Sequence, residues 1–257
     1  MISIAIQGLR GGVGVSSVVA ALGHALQSQG ERVLLVDMCP ENLLRLHCNQ
    51  PVADGSGWAR ATLDGEGWKA WGWSVLPNLH VLPYGRLSEA EQGRLELHLR
   101  RTPQLWRSLQ ASLARSFDWV LFDLPQRLAG HAQIGACDLS IRLLEADPAC
   151  HALLRQTPLR PQEWLLVNRY DPGCQLQRDL LLVWQQLLGQ RLLVQSVHRD
   201  TAMREALANK HPVGAYAPGS LAAQDALGLA RWCLERRQLP AVVGALLDAE
   251  SGEGGRS

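Results

Sequence analysis

Lysine is almost missing from this sequence, which places only Lys69 and Lys210 among its 257 residues. Its other basic residues are arginines, and they are scattered along the chain rather than run together. The formal net charge is +1, because 25 lysines and arginines oppose 24 aspartates and glutamates. Proteins that hold nucleic acid through its backbone usually carry a clear basic excess. We therefore expect no nucleic-acid partner.

Paired cysteines and long apolar runs are also missing. The six cysteines form no C-x-x-C pair and show no zinc-finger spacing with histidine, which fits a reduced, cytoplasmic chain. The apolar stretch 2–9 is too short for a signal peptide and is followed at once by Arg10. No run approaches the roughly 20 apolar residues that cross a bilayer. We expect a cytoplasmic protein without direct membrane insertion, which reaches a membrane, if at all, through partners.

The residues that are present favour a packed α/β globule, since 47% are apolar and 19% are charged. Apolar runs that predict strands alternate with amphipathic stretches that predict helices. The strands are predicted at 2–7, 32–37, 79–82, 119–123, 139–144, 164–168 and 192–196, and the helices at 16–29, 88–101, 103–115, 175–188, 201–208 and 220–237. This alternation predicts a doubly wound fold, with a mostly parallel sheet of about seven strands and helices on both faces. One domain is expected over residues 1–238, followed by a partly disordered C-terminal extension, 239–257.

Tryptophan is concentrated in one glycine-rich stretch, which holds Trp58, Trp68, Trp71 and Trp73. We expect short helices and turns over the sheet at this place. Three interpretations of the rings stay open. They could cover the edge of the core, form a docking surface for a protein partner, or stack on a sugar chain.

A glycine-rich loop lies between the first predicted strand and the first predicted helix. Its residues are Arg10, Gly11, Gly12, Val13, Gly14, Val15, Ser16 and Ser17. Glycines let successive backbone N–H groups point at phosphate oxygens, and the N-terminus of the following helix adds partial positive charge. Strand, loop and helix come in the order of a P-loop, although an ordinary glycine-rich turn is the alternative. We expect this loop to bind ATP, with the Ser16 hydroxyl on Mg²⁺.

The loop departs from a P-loop at Val15, which stands where the phosphate-binding lysine belongs. No lysine nearby in the sequence can replace it. The affinity for the β- and γ-phosphates should therefore be lower than in an intact loop. Arg10 is the loop's remaining cation, and its guanidinium can grip phosphate through two N–H groups.

Three polar residues end predicted strands, at the edge where open α/β sheets bind ligands. Asp37 is expected in the nucleotide site, and Asp123 closes a Walker B pattern and is expected to hold Mg²⁺, directly or through water. Either aspartate could instead cap a following helix or turn. Asn168 carries an amide that suits the N6 and N7 edge of adenine, although an asparagine before a turn is also ordinary.

The segment from Arg10 to Ser17 resembles the deviant Walker A loop of the MinD/ParA family. Later motifs agree in order: residues 37–41 resemble in part a family motif after strand two, 123–125 match Asp-x-Pro, and Asn168 lies where the family reads adenine. The resemblance implies a homodimer that closes across ATP. It assigns Arg10 to the position that contacts the partner's nucleotide.

Cys39 is the second departure, because the resemblance places at this position an aspartate that orients the attacking water. A thiol beside phosphate oxygens should have its pKa raised, since a second anion is disfavoured there. A neutral thiol is a poor base, so we assign no catalytic residue and expect weak or absent hydrolysis. Cys39 could also be a small buried thiol that has no bearing on turnover.

Within that family, the stretches 37–46, 57–61 and 198–200 resemble the branch that serves bacterial cellulose secretion. This resemblance implies an ATP-binding, dimerising assembly or localisation factor. Its partners would be cytoplasmic subunits of the cellulose secretion system. Two alternatives stay open, namely an active partitioning or positioning ATPase and a structural descendant that no longer binds nucleotide.

Overall fold

Eight strands form one sheet in the computed structural model, which describes residues 1–67, 71–132, 134, 137–160 and 162–238. Trp68 and the predicted extension 239–257 lie outside the described residues. The strands are β1 (Ile2–Gly8), β2 (Val33–Asp37), β3 (Trp73–Leu76), β4 (Leu79–Leu82), β5 (Trp119–Leu124), β6 (Leu139–Glu145), β7 (Glu163–Tyr170) and β8 (Leu192–His198). Their order is β3-β4-β2-β5-β1-β6-β7-β8, and only the β3–β4 pair is antiparallel. The predicted doubly wound, mostly parallel sheet is confirmed.

Helices cover both faces of the sheet. They are α1 (Val15–Ser28), α2 (Trp58–Asp64), α3 (Glu89–Arg101), α4 (Leu105–Leu113), α5 (Pro148–Gln156), α6 (Gln175–Leu188), α7 (Ala202–Ala208), α8 (Val213–Tyr216) and α9 (Leu221–Gln238). Helices α1 and α9 bury their apolar residues in the core of one face, and α2, α3 and α4 bury theirs in the core of the other. Among the described residues, no helix combines the length and apolarity needed to cross a membrane.

The near-continuous apolar runs of the central strands follow from this double cover. Side chains alternate between the two faces of a strand, so Ile4 and Ile6 enter the core under α1 while Ala5 enters the opposite core. In β5, Leu121 and Val120 divide in the same way. A strand covered on both faces needs apolar side chains at most of its positions, on either face.

Strand β3 was not predicted. It is short, pairs at the sheet edge, and begins at Trp73, whose surface is 39% exposed. An exposed edge strand needs no run of apolar residues, so it carries little sequence signal. Helix α5 was also not predicted, although Asp147 followed by Pro148 is typical of a helix start. In the structure Asp147 is its N-cap, and its side chain accepts a hydrogen bond from the backbone N–H of Cys150 at 2.7 Å.

The tryptophan-rich stretch contributes to the core. Trp58 begins α2, is completely buried, and packs edge-on against Tyr84 and Trp106. Its indole N–H donates to the backbone carbonyl of Asp37 at 2.7 Å. For Trp58 the core interpretation is therefore confirmed, and this residue also supports the end of β2.

Candidate functional site

The glycine-rich loop connects the end of β1 at Gly8 to the start of α1 at Val15. Gly12 has φ 79° and Gly14 has φ 92°, both in the left-handed region that favours glycine. Gly11 and Gly12 are exposed, and a Cβ on either would touch no other atom within 4 Å, so the loop is open at these two positions. This open loop, at a helix N-terminus, has the geometry of an anion cradle.

Asn168 anchors the loop to strand β7 through a hydrogen bond. It is buried within β7, and its side-chain N–H donates to the carbonyl oxygen of Val13 at 2.7 Å. A Cβ on Gly14 would lie 2.7 Å from the same amide nitrogen, so glycine is required there by space as well as by φ. Strand β7 continues to Tyr170, so the idea that Asn168 forms the turn is wrong. Its recognition of adenine stays a prediction.

Arg10 is held by two acidic residues of its own chain, which were not predicted. Its guanidinium donates to Glu145 at 2.8 Å and also forms an ion pair with Asp147. The hydrogen bond that Arg10 donates to Asp147 is the main cause that raises the pKa of Arg10. Arg169 also approaches Glu145, at 3.7 Å. The cation that the sequence assigned to phosphate thus lies in a network at the carboxyl end of β6.

The residues after the loop differ in what they contact. Val15 is half-buried against the core and brings no charge to the loop. Ser16 lies near Asp123, where its hydroxyl helps to lower the pKa of that carboxyl. The hydroxyl of Ser17 lies 3.2 Å from Nε2 of His47. Ser16 is therefore the hydroxyl that is directed toward the predicted metal site.

Asp37 and Asp123 are brought side by side, because β2 and β5 are adjacent and parallel and these residues are register partners. Both are fully buried. Asp37 accepts backbone hydrogen bonds from Cys39 at 2.9 Å and from Leu44 at 3.1 Å. Leu44 begins a short 3₁₀ turn, so the capping role considered for Asp37 is present together with its position in the site.

Burial is the main influence on the pKa values of Asp37 and Asp123. It raises the pKa of Asp37 well above its ordinary value, and the nearby Asp123 raises it further. It also raises the pKa of Asp123 to about 7, against hydrogen bonding from Ser16 and Cys39. The thiol of Cys39 donates to the carbonyl oxygen and to Oδ1 of Asp123, both at 3.6 Å. Two neighbouring carboxyl groups disfavour each other's ionised form, because two negative charges repel.

The thiol of Cys39 is neutral in this environment. Burial raises its pKa most, and the carboxyl groups of Asp123 and Asp37 raise it further. The direction agrees with the expectation from the sequence, but the protein's own burial and carboxyl groups suffice without any phosphate. Cys39 therefore offers no base to an attacking water.

The cluster fits a divalent cation. Oδ2 of Asp123 is buried and accepts no hydrogen bond of ordinary geometry. A hydroxyl oxygen and carboxylate oxygens are the donors that Mg²⁺ prefers in proteins. The unused oxygen, the nearby Ser16 hydroxyl and the open glycine loop together form a site that suits a metal ion bound with phosphates.

Comparisons with known proteins show which family this chain resembles. The family model described as cellulose biosynthesis protein BcsQ matches residues 1–234. The cellulose biosynthesis protein BcsQ of Escherichia coli (strain K12) is 41% identical over 237 residues, which are 91% of this chain and 94% of that protein.

Solved structures show the fold. Cobyrinic acid a,c-diamide synthase from Mycobacterium smegmatis, with bound ATP analog and magnesium, superimposes with a TM-score of 0.73 at 24% identity, over 93% of this chain and 96% of that one. The septum site-determining protein MinD from Pyrococcus horikoshii OT3, complexed with Mg-ADP, superimposes with a TM-score of 0.70 at 20% identity, over 89% and 94%. The MinD/ParA-type fold that the sequence motifs indicate is confirmed.

Proposed function

This chain belongs to the BcsQ family of cellulose biosynthesis proteins, and we propose that it acts as an ATP-binding assembly or localisation factor with weak or absent hydrolysis. One observation carries the proposal. The glycine loop and the Asp37–Asp123 pair are assembled, whereas Val15 supplies no charge and Cys39 no base. The groups that would bind ATP and its metal are present. The groups that would speed the transfer of its phosphoryl group are missing.

Each part of the site has a distinct role in binding. The backbone of residues 11–14 and the N-terminus of α1 receive the phosphates of ATP. Ser16 and Asp123 hold Mg²⁺, which neutralises phosphate charge when it is bound. Asp37 supports this arrangement through its backbone hydrogen bonds to Cys39 and Leu44. Since no lysine compensates the phosphates, much of the binding comes from backbone N–H groups and the metal.

ATP would close a homodimer through Arg10. In the single chain Arg10 is occupied by Glu145 and Asp147. These ion pairs are partly exposed, so breaking them costs less than breaking a buried pair. A desolvated phosphate of the partner's nucleotide offers a stronger acceptor for the guanidinium. The exchange of carboxylates for phosphate makes dimer formation depend on ATP, and the dimer then presents a surface to cytoplasmic subunits of the cellulose secretion system.

The dimer is tested by light scattering of the purified protein with and without ATP and Mg²⁺. The wild type should change from monomer to dimer with ATP. Arg10→Ala should weaken the dimer by roughly ten- to a hundredfold, because a charge-assisted contact contributes about 1.5–3 kcal/mol. Arg32→Ala is the matched control. Arg32 also forms an ion pair, with Asp118, but this pair lies at the amino ends of β2 and β5, away from the loop.

Two outcomes would contradict the proposal. A wild type that stays monomeric while it binds fluorescent ATP would exclude the ATP-closed dimer. A wild type that binds no fluorescent ATP would favour the structural descendant instead.

A further inference from the structure

Cys39, Asp37 and Asp123 form a compact set of metal-binding atoms. One ligand atom from each residue lies within 4.8 Å of the others. Sulfur and carboxylate oxygen are not equivalent as ligands, because thiolates select zinc and cobalt whereas carboxylates also accept magnesium. A thiol in this set therefore changes which ions the cluster prefers.

The spacing of Cys39 and Asp123 suits tetrahedral coordination. The thiol sulfur of Cys39 lies 3.6 Å from Oδ1 of Asp123. A tetrahedral Zn²⁺ with ordinary bond lengths to sulfur and to a carboxylate oxygen would hold those two atoms about 3.6 Å apart. These two ligand atoms are therefore already at the separation that one shared ion would set. Asp37 is oriented by its hydrogen bonds from the backbone of Cys39 and Leu44, the kind of support that metal ligands commonly have.

Both carboxyl groups also lack a cationic partner within the described part of the chain. Both carboxyl groups are completely buried, and no ion pair joins either of them to a described arginine, lysine or histidine. Oδ2 of Asp123 accepts no hydrogen bond of ordinary geometry, although it is shielded from water. An unused buried carboxylate oxygen is costly unless a cation or a donor satisfies it.

We propose that Asp37, Cys39 and Asp123 bind a thiophilic divalent cation such as Zn²⁺ or Co²⁺ directly, without nucleotide. The Cys39 S–H bond breaks, the proton leaves to solvent, and the thiolate sulfur forms a bond to the metal. No atom is oxidised or reduced. Cys39 is half-buried while both aspartates are fully buried, so the ion enters on the thiol side. Mg²⁺ avoids sulfur, and we expect it to compete poorly for this set.

The test is a titration of the full chain with Co²⁺ in the absence of nucleotide. Bonding to a thiolate gives a sulfur-to-cobalt charge-transfer band in the near ultraviolet. We expect this band in the wild type, its loss on adding Zn²⁺, and its persistence in excess Mg²⁺. Cys39→Ser should remove the band and weaken Co²⁺ binding about tenfold or more. The matched control is Cys48→Ser, because Cys48 is a buried thiol on the neighbouring 3₁₀ turn.

A second measurement uses only the wild type, so that it stands even if Cys39→Ser does not fold. Zn²⁺ should slow alkylation of Cys39, read by mass spectrometry, without slowing that of the half-buried Cys174. The proposal fails if no charge-transfer band forms, if the band survives in Cys39→Ser, or if Zn²⁺ leaves the alkylation of Cys39 unchanged. Because no nucleotide is present, these outcomes are independent of ATP binding.

Discussion

Replacing Gly14 with alanine would test how closely the phosphate loop is held to the sheet. Gly14 combines two constraints, a φ of 92° and a neighbour at short range. An added Cβ would stand 2.7 Å from the amide nitrogen of Asn168. That nitrogen is the donor that holds the carbonyl oxygen of Val13. Alanine would therefore strain the backbone and also push Asn168 off the loop.

The magnitude follows from these two effects. An L-residue in the left-handed region costs about 1–2 kcal/mol, and losing the hydrogen bond from Asn168 to Val13 costs about 1 kcal/mol more. Gly14→Ala should therefore lower the free energy of unfolding by about 2–3 kcal/mol. Gly12→Ala should cost only the backbone part, about 1–2 kcal/mol, because a Cβ at Gly12 touches nothing.

The assay is urea unfolding followed by circular dichroism, with Gly11→Ala as the control. Gly11 is outside the left-handed region and has open space, so this change should stay within about 0.5 kcal/mol. In an Asn168→Ala background the clash partner is gone, and Gly14→Ala should cost no more than Gly12→Ala. The reasoning is refuted if Gly14→Ala and Gly12→Ala cost the same in the wild-type background.

Three further predictions concern chemistry, metal and pH. Val15→Lys combined with Cys39→Asp should raise single-turnover ATP hydrolysis more than either change alone, because the lysine stabilises the transferring phosphoryl group and the aspartate orients water; a double variant that binds ATP yet stays as slow as the wild type would contradict this. Ser16→Ala and Asp123→Ala should each lower the affinity for ATP measured by calorimetry with Mg²⁺, and an equal wild-type affinity with Mg²⁺ and with chelator would exclude their metal role. Burial would raise the pKa of Glu96, but hydrogen bonds from two backbone N–H groups and a histidine lower it to about 2, from 4.5. Its ionised form therefore stabilises the fold above pH 4.5, and this contribution is lost as the pH falls toward 2; a difference in unfolding free energy between wild type and Glu96→Gln that does not shrink over this range would contradict the assignment.

The strands of the sheet interior could be predicted because both of their faces are buried. Most of their residues are apolar, and such a run is visible without any knowledge of neighbours. The exposed edge strand Trp73–Leu76 lacks this requirement and was missed. Helix α5 was missed for a different reason, since its start signal is a single Asp147–Pro148 step and its apolar pattern is short.

The composition of the candidate site was predictable for a similar reason. Glycines in a loop, aspartates at strand ends and the two departures at Val15 and Cys39 are properties of residue type and local order. A parallel α/β fold brings strand ends to one edge of the sheet, so Asp37 and Asp123 were expected in one site. Their contact as register partners then followed from the adjacency of β2 and β5.

The partners of these residues were decided by the tertiary structure alone. Arg10 meets Glu145 across 135 positions, Asn168 meets Val13 across 155, and the thiol of Cys39 meets Asp123 across 84. Contacts at such separations depend on strand order and register to within about one residue, since a shift of one residue turns a side chain to the other face. The sequence by itself therefore determined which chemical groups this site contains and which it lacks. Only the packed sheet decided that Arg10 is held by carboxylates, that Asn168 supports the loop, and that a thiol stands at metal-ligand distance from a buried aspartate.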